Sequence, residues 1–231
     1  MFGEVVPANL ARIEEEIAAA CSRSGRSRDE VRLIAVAKTF PAAAVDEAIR
    51  AGITDVGENR VQEAREKIDR VTGRARWHMI GHLQSNKVKE AVRIFDVIQS
   101  IDSLPLALKV DRECALAERK IDVLIQVNLG GESQKYGVSP DAVPALARSL
   151  ESLDHVTLRG LMSIPPMAPP ERARAWFRDL RRLRDSMAGA FGSELAGELS
   201  MGMSDDFPVA IEEGATMIRI GRAIFGERTS E

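Results

Sequence analysis

Short, dense apolar runs alternate with longer stretches of helical periodicity along almost the whole chain, and no other feature restricts its fold so strongly. Residues 31–37 are unbroken apolar apart from Arg32, the mark of a strand buried on both faces. That first run extends to Thr39, and similar runs cover 53–57, 77–81, 95–101, 121–129, 157–163, 198–201 and 217–221. Helical patterns occupy 60–71, 83–92, 104–118, 142–150, 172–187 and 206–214. Pro41 opens the helix after the first run, where a missing N–H costs least, and Gly52 caps its end. An extra N-terminal helix precedes the first strand, with Leu10, Ile13, Ile17 and Cys21 on one face. Strict β-α alternation implies a parallel sheet with right-handed crossovers. About eight such units favour a closed (β/α)8 TIM-type barrel. An open doubly wound sheet is the competing reading, but the GxGxxG fingerprint of its nucleotide-binding forms is absent.

A chain of 231 residues suits one barrel domain spanning 1–231. With aromatics at only 4%, the core must come from Val, Ile, Leu, Ala and Met. A net charge of −3 supplies no global attraction to nucleic acid or anionic membranes. The start, MFGEVVPANL, lacks the order of a signal peptide, and no apolar run approaches the roughly 20 residues of a membrane helix. Cys21 and Cys114 show no metal-type spacing and read as reduced bystanders of a cytoplasmic protein. The arginines at 172, 174, 178, 181, 182 and 184 invite a nucleic-acid reading. Trp176, Leu180, Leu183 and Met187 form a stripe on the same helix, so the arginines read better as its solvated face.

In such barrels the chemistry sits where strands end and βα loops begin. Lys38 ends the first run, and desolvation there favours the free amine that attacks an aldehyde. The plain alternative is a lysine that merely marks a strand end. Ser200-Met201-Gly202-Met203-Ser204-Asp205-Asp206 follows strand seven, and Arg219-Ile220-Gly221-Arg222 closes strand eight. Loops at these two positions often build phosphate sites. Ser204 could donate its hydroxyl or simply cap the next helix, while Gly221 lets the backbone approach. Asp205 and Asp206 must face away or pair elsewhere. Asn59 and His82, after strands two and three, are candidates to contact a bound ring, with helix capping an equal alternative for each. His78, inside its strand, reads as a packed histidine. The Gly130–Lys135 stretch could form a lid.

Seven segments carry a family likeness: AVAKTFP (35–41), GENRVQE (57–63), WHMIGHLQSNK (77–87), QVNLGGESQKYG (126–137), LRGLMSIP (158–165), and MGMSDDF with IRIGRAIFG. In order and over nearly the whole chain, the sequence resembles the pyridoxal phosphate (PLP) homeostasis proteins. The resemblance implies a barrel like the N-terminal domain of alanine racemase, with PLP held as a Schiff base on Lys38. It implies that Met203 and Ser204, with the backbone of Gly221 and Arg222, hold the phosphate, and that Arg219 faces the pyridine nitrogen. Arg222 stands where relatives carry a small residue such as Thr; a backbone contact survives that change and a hydroxyl contact does not.

The resemblance also implies binding without substantial turnover. An arginine at the pyridine nitrogen only donates a hydrogen bond, which weakens the cofactor's electron sink. Racemases of this fold use a tyrosine from an additional β-domain as second base. The chain ends shortly after its last barrel motif, so no such domain is expected, and its only tyrosine is Tyr136. The expectation is a cytoplasmic, monomeric PLP homeostasis protein, not an enzyme, whose partners are PLP and apo PLP-dependent enzymes. The alternative is a PLP-dependent amino-acid racemase or lyase. Lys135 is a second lysine on a mouth-side loop that could form an imine.

Overall fold

The structure, a computed structural model, describes residues 2–131, 136–191 and 197–226. The eight strands form one closed, all-parallel barrel in sequence order. They are β1 (Arg32–Val36), β2 (Asp55–Glu58), β3 (Arg76–Met79), β4 (Val97–Ile101), β5 (Ile121–Val127), β6 (Val156–Ser163), β7 (Glu198–Ser200) and β8 (Met217–Ile220). The expected helices lie between them: α2 (Ala42–Arg50), α3 (Val61–Ile68), α4 (Val88–Ile94), α5 (Leu104–Leu116), α6 (Val143–Glu151), α7 (Pro170–Phe191) and α8 (Phe207–Glu212). A short α9 (Arg222–Phe225) follows β8, and α1 (Phe2–Arg23) is the extra N-terminal helix, packed on α2, α8 and α9.

The main apolar core lies between the barrel and its helices, where Leu33, Ala35, Val56, Ile98, Leu161, Ile218 and Ile220 meet the buried helix faces. Val97, Leu124 and Met162 form a separate small cluster. Polar side chains fill much of the remaining interior, as described below. Residues 31–39 were expected as one strand, but pairing ends at Val36. Lys38 and Thr39 leave the sheet in a turn, because Thr39 takes a φ of 69° that no strand accommodates.

On α7, Ala173, Phe177, Leu180 and Met187 are buried, with Trp176 and Leu183 packed beside them. Its arginines lie off this stripe: Arg172 and Arg182 are exposed, while Arg174, Arg178 and Arg181 are half-buried and all reach the buried Glu213. The expected solvated face is thus in part an ion-paired contact with the end of α8. Both cysteines are free and buried, and burial pushes each thiol up, Cys114 to about 11. No helix among the described residues is long and apolar enough to cross a membrane.

Gly160 of β6 pairs with Glu198 of β7, and an added Cβ would lie 2.0 Å from the Glu198 carbonyl oxygen and 2.8 Å from its nitrogen. Both are backbone atoms in a closed sheet, so neither can turn aside. Gly160→Ala should therefore lower stability by at least about 3 kcal/mol, the upper end for overpacking. A urea midpoint equal to wild type would show that β6 and β7 can spread at no cost.

Candidate functional site

The residues singled out in the sequence converge on one face of the barrel, from five strands adjacent in the closed order: β7, β8, β1, β2 and β3. The Arg219 N–H donates to Gly202 O at 3.0 Å, tying β8 to the loop that carries Met203 and Ser204. A Cβ on Gly221 would come within 3.1 Å of Val36 O, so that glycine allows β8 to pass close to the end of β1. The Phe40 and Phe225 rings lie 4.9 Å apart and hold α9 against the turn containing Lys38. The Ala37 N–H donates to Gly57 O at 3.0 Å, which sets the Lys38 turn beside β2. A Cβ on Gly81 would meet Asn59 O at 2.3 Å, so the exits of β2 and β3 are pressed together.

Inside the barrel, Arg219 is buried and begins a chain of hydrogen bonds that none of the sequence motifs announces. Its Nη1 donates to Ser200 Oγ at 2.6 Å, and Nη2 donates to Ser163 O at 2.8 Å. Ser200 Oγ donates to Gln99 Oε1 at 2.6 Å, and Gln99 Nε2 donates to His78 Nδ1 at 3.0 Å. His78 Nε2 then donates to Asp55 Oδ1 at 2.8 Å. Asp55 also accepts from the Thr54 hydroxyl at 2.7 Å and lies 3.8 Å from Arg32 at the start of β1. Burial holds His78 below the usual imidazole range, so it is neutral, with Nε2 carrying the proton. Burial opposes ionisation of Asp55, but hydrogen bonds from His78 and Thr54 outweigh it and keep its carboxyl below the usual range. Burial pushes the Arg219 guanidinium down to about 10, partly offset by Asp206, so it is still charged at neutral pH. His78 is thus the packed histidine expected from its place within the strand.

Between β2 and α3, the buried Glu58 carboxylate contacts Lys67 Nζ, and burial pushes Glu58 up to about 7 against the pull of that ammonium. A folded-state value above the ordinary 4.5 means that the folded protein binds the proton more tightly than the unfolded chain. This contribution to stability is complete below the unfolded value and is lost as pH rises through about 7. Glu58→Gln should flatten that part of the pH profile, seen as a smaller drop in urea midpoint between about pH 5 and about pH 8. An unchanged profile would mean that Glu58 titrates normally.

The loop after β7 settles the question of the two aspartates. Asp205 pairs with Arg222 at 2.5 Å across the β7 and β8 loops, and Asp206 accepts the Met203 N–H at 2.6 Å. Asp206, not Ser204, occupies the N-cap position of α8, so capping is no longer an account of Ser204. Arg60 takes that position before α3, and a 3-10 turn at Ser85–Lys87 leads into α4, so neither Asn59 nor His82 caps a helix. His82 instead stacks on Tyr136, with ring centroids 3.6 Å apart and planes at 9°, and its Nδ1 lies 3.3 Å from Asp102. A cavity of about 570 Å³ opens beside this stack, lined by Asn59, Arg60, Gly81, His82, Lys87 and Tyr136 among others; neither Lys38 nor Arg219 lines it. Among the described residues no cluster of three metal-ligating side chains exists. Residues 132–135, with Lys135 and most of the expected lid, lie outside the described residues.

Sequence reasoning missed Gln99, Ser200 as a hydrogen-bond link, Glu58, Glu63 and Lys67. A polar residue inside an otherwise apolar strand run, as at Gln99, was the available signal.

Residues 8–229 match the family model described as alanine racemase, N-terminal domain. A protein of Aquifex aeolicus named pyridoxal phosphate homeostasis protein is 42% identical over 221 residues, covering 95% of this chain and 96% of its own. The chain belongs to the pyridoxal phosphate homeostasis protein family. Another similar protein, PipY of Synechococcus elongatus, has been solved with PLP bound. It is 40% identical, with a TM-score of 0.81, and covers 93% of this chain and 100% of its own. Alanine racemase of Clostridium difficile shares the fold at 13% identity and a TM-score of 0.74, and this chain spans 58% of its length. The resemblance read from the motifs is borne out, as is the (β/α)8 barrel with an extra N-terminal helix.

Proposed function

We propose that this protein binds pyridoxal phosphate at the barrel mouth, as an imine on Lys38, and serves PLP homeostasis without substantial turnover of its own. The observation that carries this reading is Arg219: a buried guanidinium, charged at neutral pH, at the mouth end of the strand next to the one that leads into Lys38. The pyridine nitrogen needs a hydrogen-bond donor, and Arg219 is held ready to be one. The site is polar enough for the rest of the ring: among the described residues, the buried hydroxyls of Ser100 and Ser163 and the Gln126 amide oxygen, at the ends of β4, β6 and β5, have no hydrogen-bond partner. Such groups favour a polar ligand over an empty apolar cavity.

In this reading Met203 and Ser204 contribute the loop around the phosphate, with the backbone of Gly221 and Arg222. The Asp205–Arg222 pair fastens the two loops together and turns one carboxylate away from the anion. Asn59 and His82 contact the ring side, with Tyr136 stacked behind His82. When bound, PLP supplies a reactive aldehyde, whose condensation with the Lys38 amine releases water. A homeostasis role also follows the names of the relatives. Apo PLP-dependent enzymes are the proposed recipients, and the protein is proposed to act as a single-domain monomer in the cytoplasm.

The test is to mix purified protein with PLP, reduce with borohydride and map the labelled peptide. It is paired with a search for α-proton exchange of amino acids in deuterated solvent. An adduct on Lys38 without exchange supports the reading. Steady exchange would replace it with a racemase-type enzyme, and no adduct on Lys38 would remove its central residue.

A further inference from the structure

The turn that carries Lys38 is strained, and three side chains of one neighbouring segment hold it. The Phe40 N–H donates to Ala37 O at 3.0 Å, closing a four-residue turn with Lys38 and Thr39 at its centre. Thr39 sits at φ 69°, where turns of this shape ordinarily place glycine or asparagine. For a β-branched residue that conformation costs of order 1–3 kcal/mol and persists only when the surroundings enforce it.

The surroundings are α3 and the end of β2. Lys67 Nζ donates to Ala37 O, the carbonyl just before Lys38, at 2.6 Å. The Thr39 N–H, just after Lys38, donates to Glu63 Oε1. Glu63 and Lys67 lie one helical turn apart at 3.3 Å, and the buried Glu58 contacts Lys67 from below. Lys67 itself is 6% exposed. Burying an ammonium is expensive unless it is paired and hydrogen-bonded, and here its partners are the two carboxylates and the carbonyl that precedes Lys38. Both peptide units flanking Lys38 are therefore gripped, one by a cation and one by a carboxylate.

We propose that Glu63 and Lys67, backed by Glu58, are positioning residues that hold the Ala37–Phe40 turn in its strained form and so aim the Lys38 amine into the barrel mouth. They touch no ligand and act only through the backbone on either side of Lys38. This deepens the proposed function by assigning the residues that set the reactivity of its nucleophile.

The test compares wild type with Glu63→Ala, Lys67→Met, Thr39→Gly and the double variant Glu63→Ala/Thr39→Gly. One readout needs no cofactor: the rate at which Lys38 is acetylated in cofactor-free protein, by peptide mapping, relative to surface lysines. The other is the rate at which imine absorbance forms with PLP. Misaiming a reacting group by about 1 Å costs up to about a hundredfold, so each single α3 variant should change both rates by about tenfold or more. Glycine reaches positive φ freely, so adding Thr39→Gly to Glu63→Ala should restore both rates to within about threefold of wild type. Wild-type rates in Glu63→Ala and Lys67→Met would overturn the inference. So would losses that track melting temperature and are not rescued by Thr39→Gly, because α3 would then act through stability alone. Acetylation follows the lysine whether or not PLP binds. Failure of the proposed function, seen as wild type without an imine, is thus distinguishable from failure of the positioning role.

Discussion

Lys38→Ala is expected to abolish the visible imine absorbance that PLP produces with the wild-type protein, and to leave no borohydride-trapped adduct at the mouth. Lys38 is half-buried at the end of β1, flanked by the closest approach of β8 and by the exit of β2. Lys67 lies near it but is spent on Ala37 O and two carboxylates, so it is a poor substitute nucleophile. Lys87 lines the cavity beside His82, on the far side of the β2 and β3 exits. Alanine at a turn position forfeits little packing, so the variant should melt close to wild type, and the loss of absorbance then reports chemistry and not unfolding. A persisting band with its adduct on Lys87 or Lys135 would place the imine elsewhere.

Gln99→Leu should have a large effect although it touches no proposed ligand contact. The amide is buried, donates to His78 Nδ1 and accepts from Ser200 Oγ, and leucine matches its bulk without either function. Two buried polar atoms then lose a partner, at about 1–3 kcal/mol each, for an expected loss of about 3 kcal/mol. For a protein of this size that is a drop in Tm of about 6–12 °C. Arg219 keeps its bonds to Ser200 Oγ and Ser163 O, so PLP should still bind at the proposed site, with an altered absorbance because Ser200 is no longer fixed by Gln99. A melting temperature within about 2 °C of wild type would mean that Ser200 and His78 find other partners at no cost.

The barrel was legible because parallel strands covered on both faces read as dense apolar runs, and residues 53–57 or 95–101 stand out from the helices around them. The end of β1 was misjudged for a definite reason. Lys38-Thr39 has strand-like composition, and the positive φ of Thr39 arises from Glu63 and Lys67, which lie in another element. The polar interior was hidden differently. Asp55, His78, Gln99, Ser200 and Arg219 sit on five strands, and Gln99 and Ser200 are 101 positions apart. Nothing local to any of them signals that closure of the sheet brings them into one line. The mouth residues were readable because strand ends are where this architecture places its chemistry, whatever the intervening sequence. The roles of His82 and Ser204 were left open, since capping and ligand contact draw on the same residue types; the cap positions of α3, α4 and α8 have now removed one side of that ambiguity.

The interior chain has one further property. Every donor in it points the same way, from the guanidinium of Arg219 through Ser200, Gln99 and His78 to the carboxylate of Asp55. The cation at the mouth end and the anion at the foot make the barrel interior electrically polar, positive toward the mouth, while the bond dipoles between them run the opposite way and only partly offset it. In a low-dielectric interior such a field is weakly screened. Although the protein as a whole carries a net negative charge, a phosphorylated ligand approaching the mouth meets the attractive pole of a built-in electrostatic gradient.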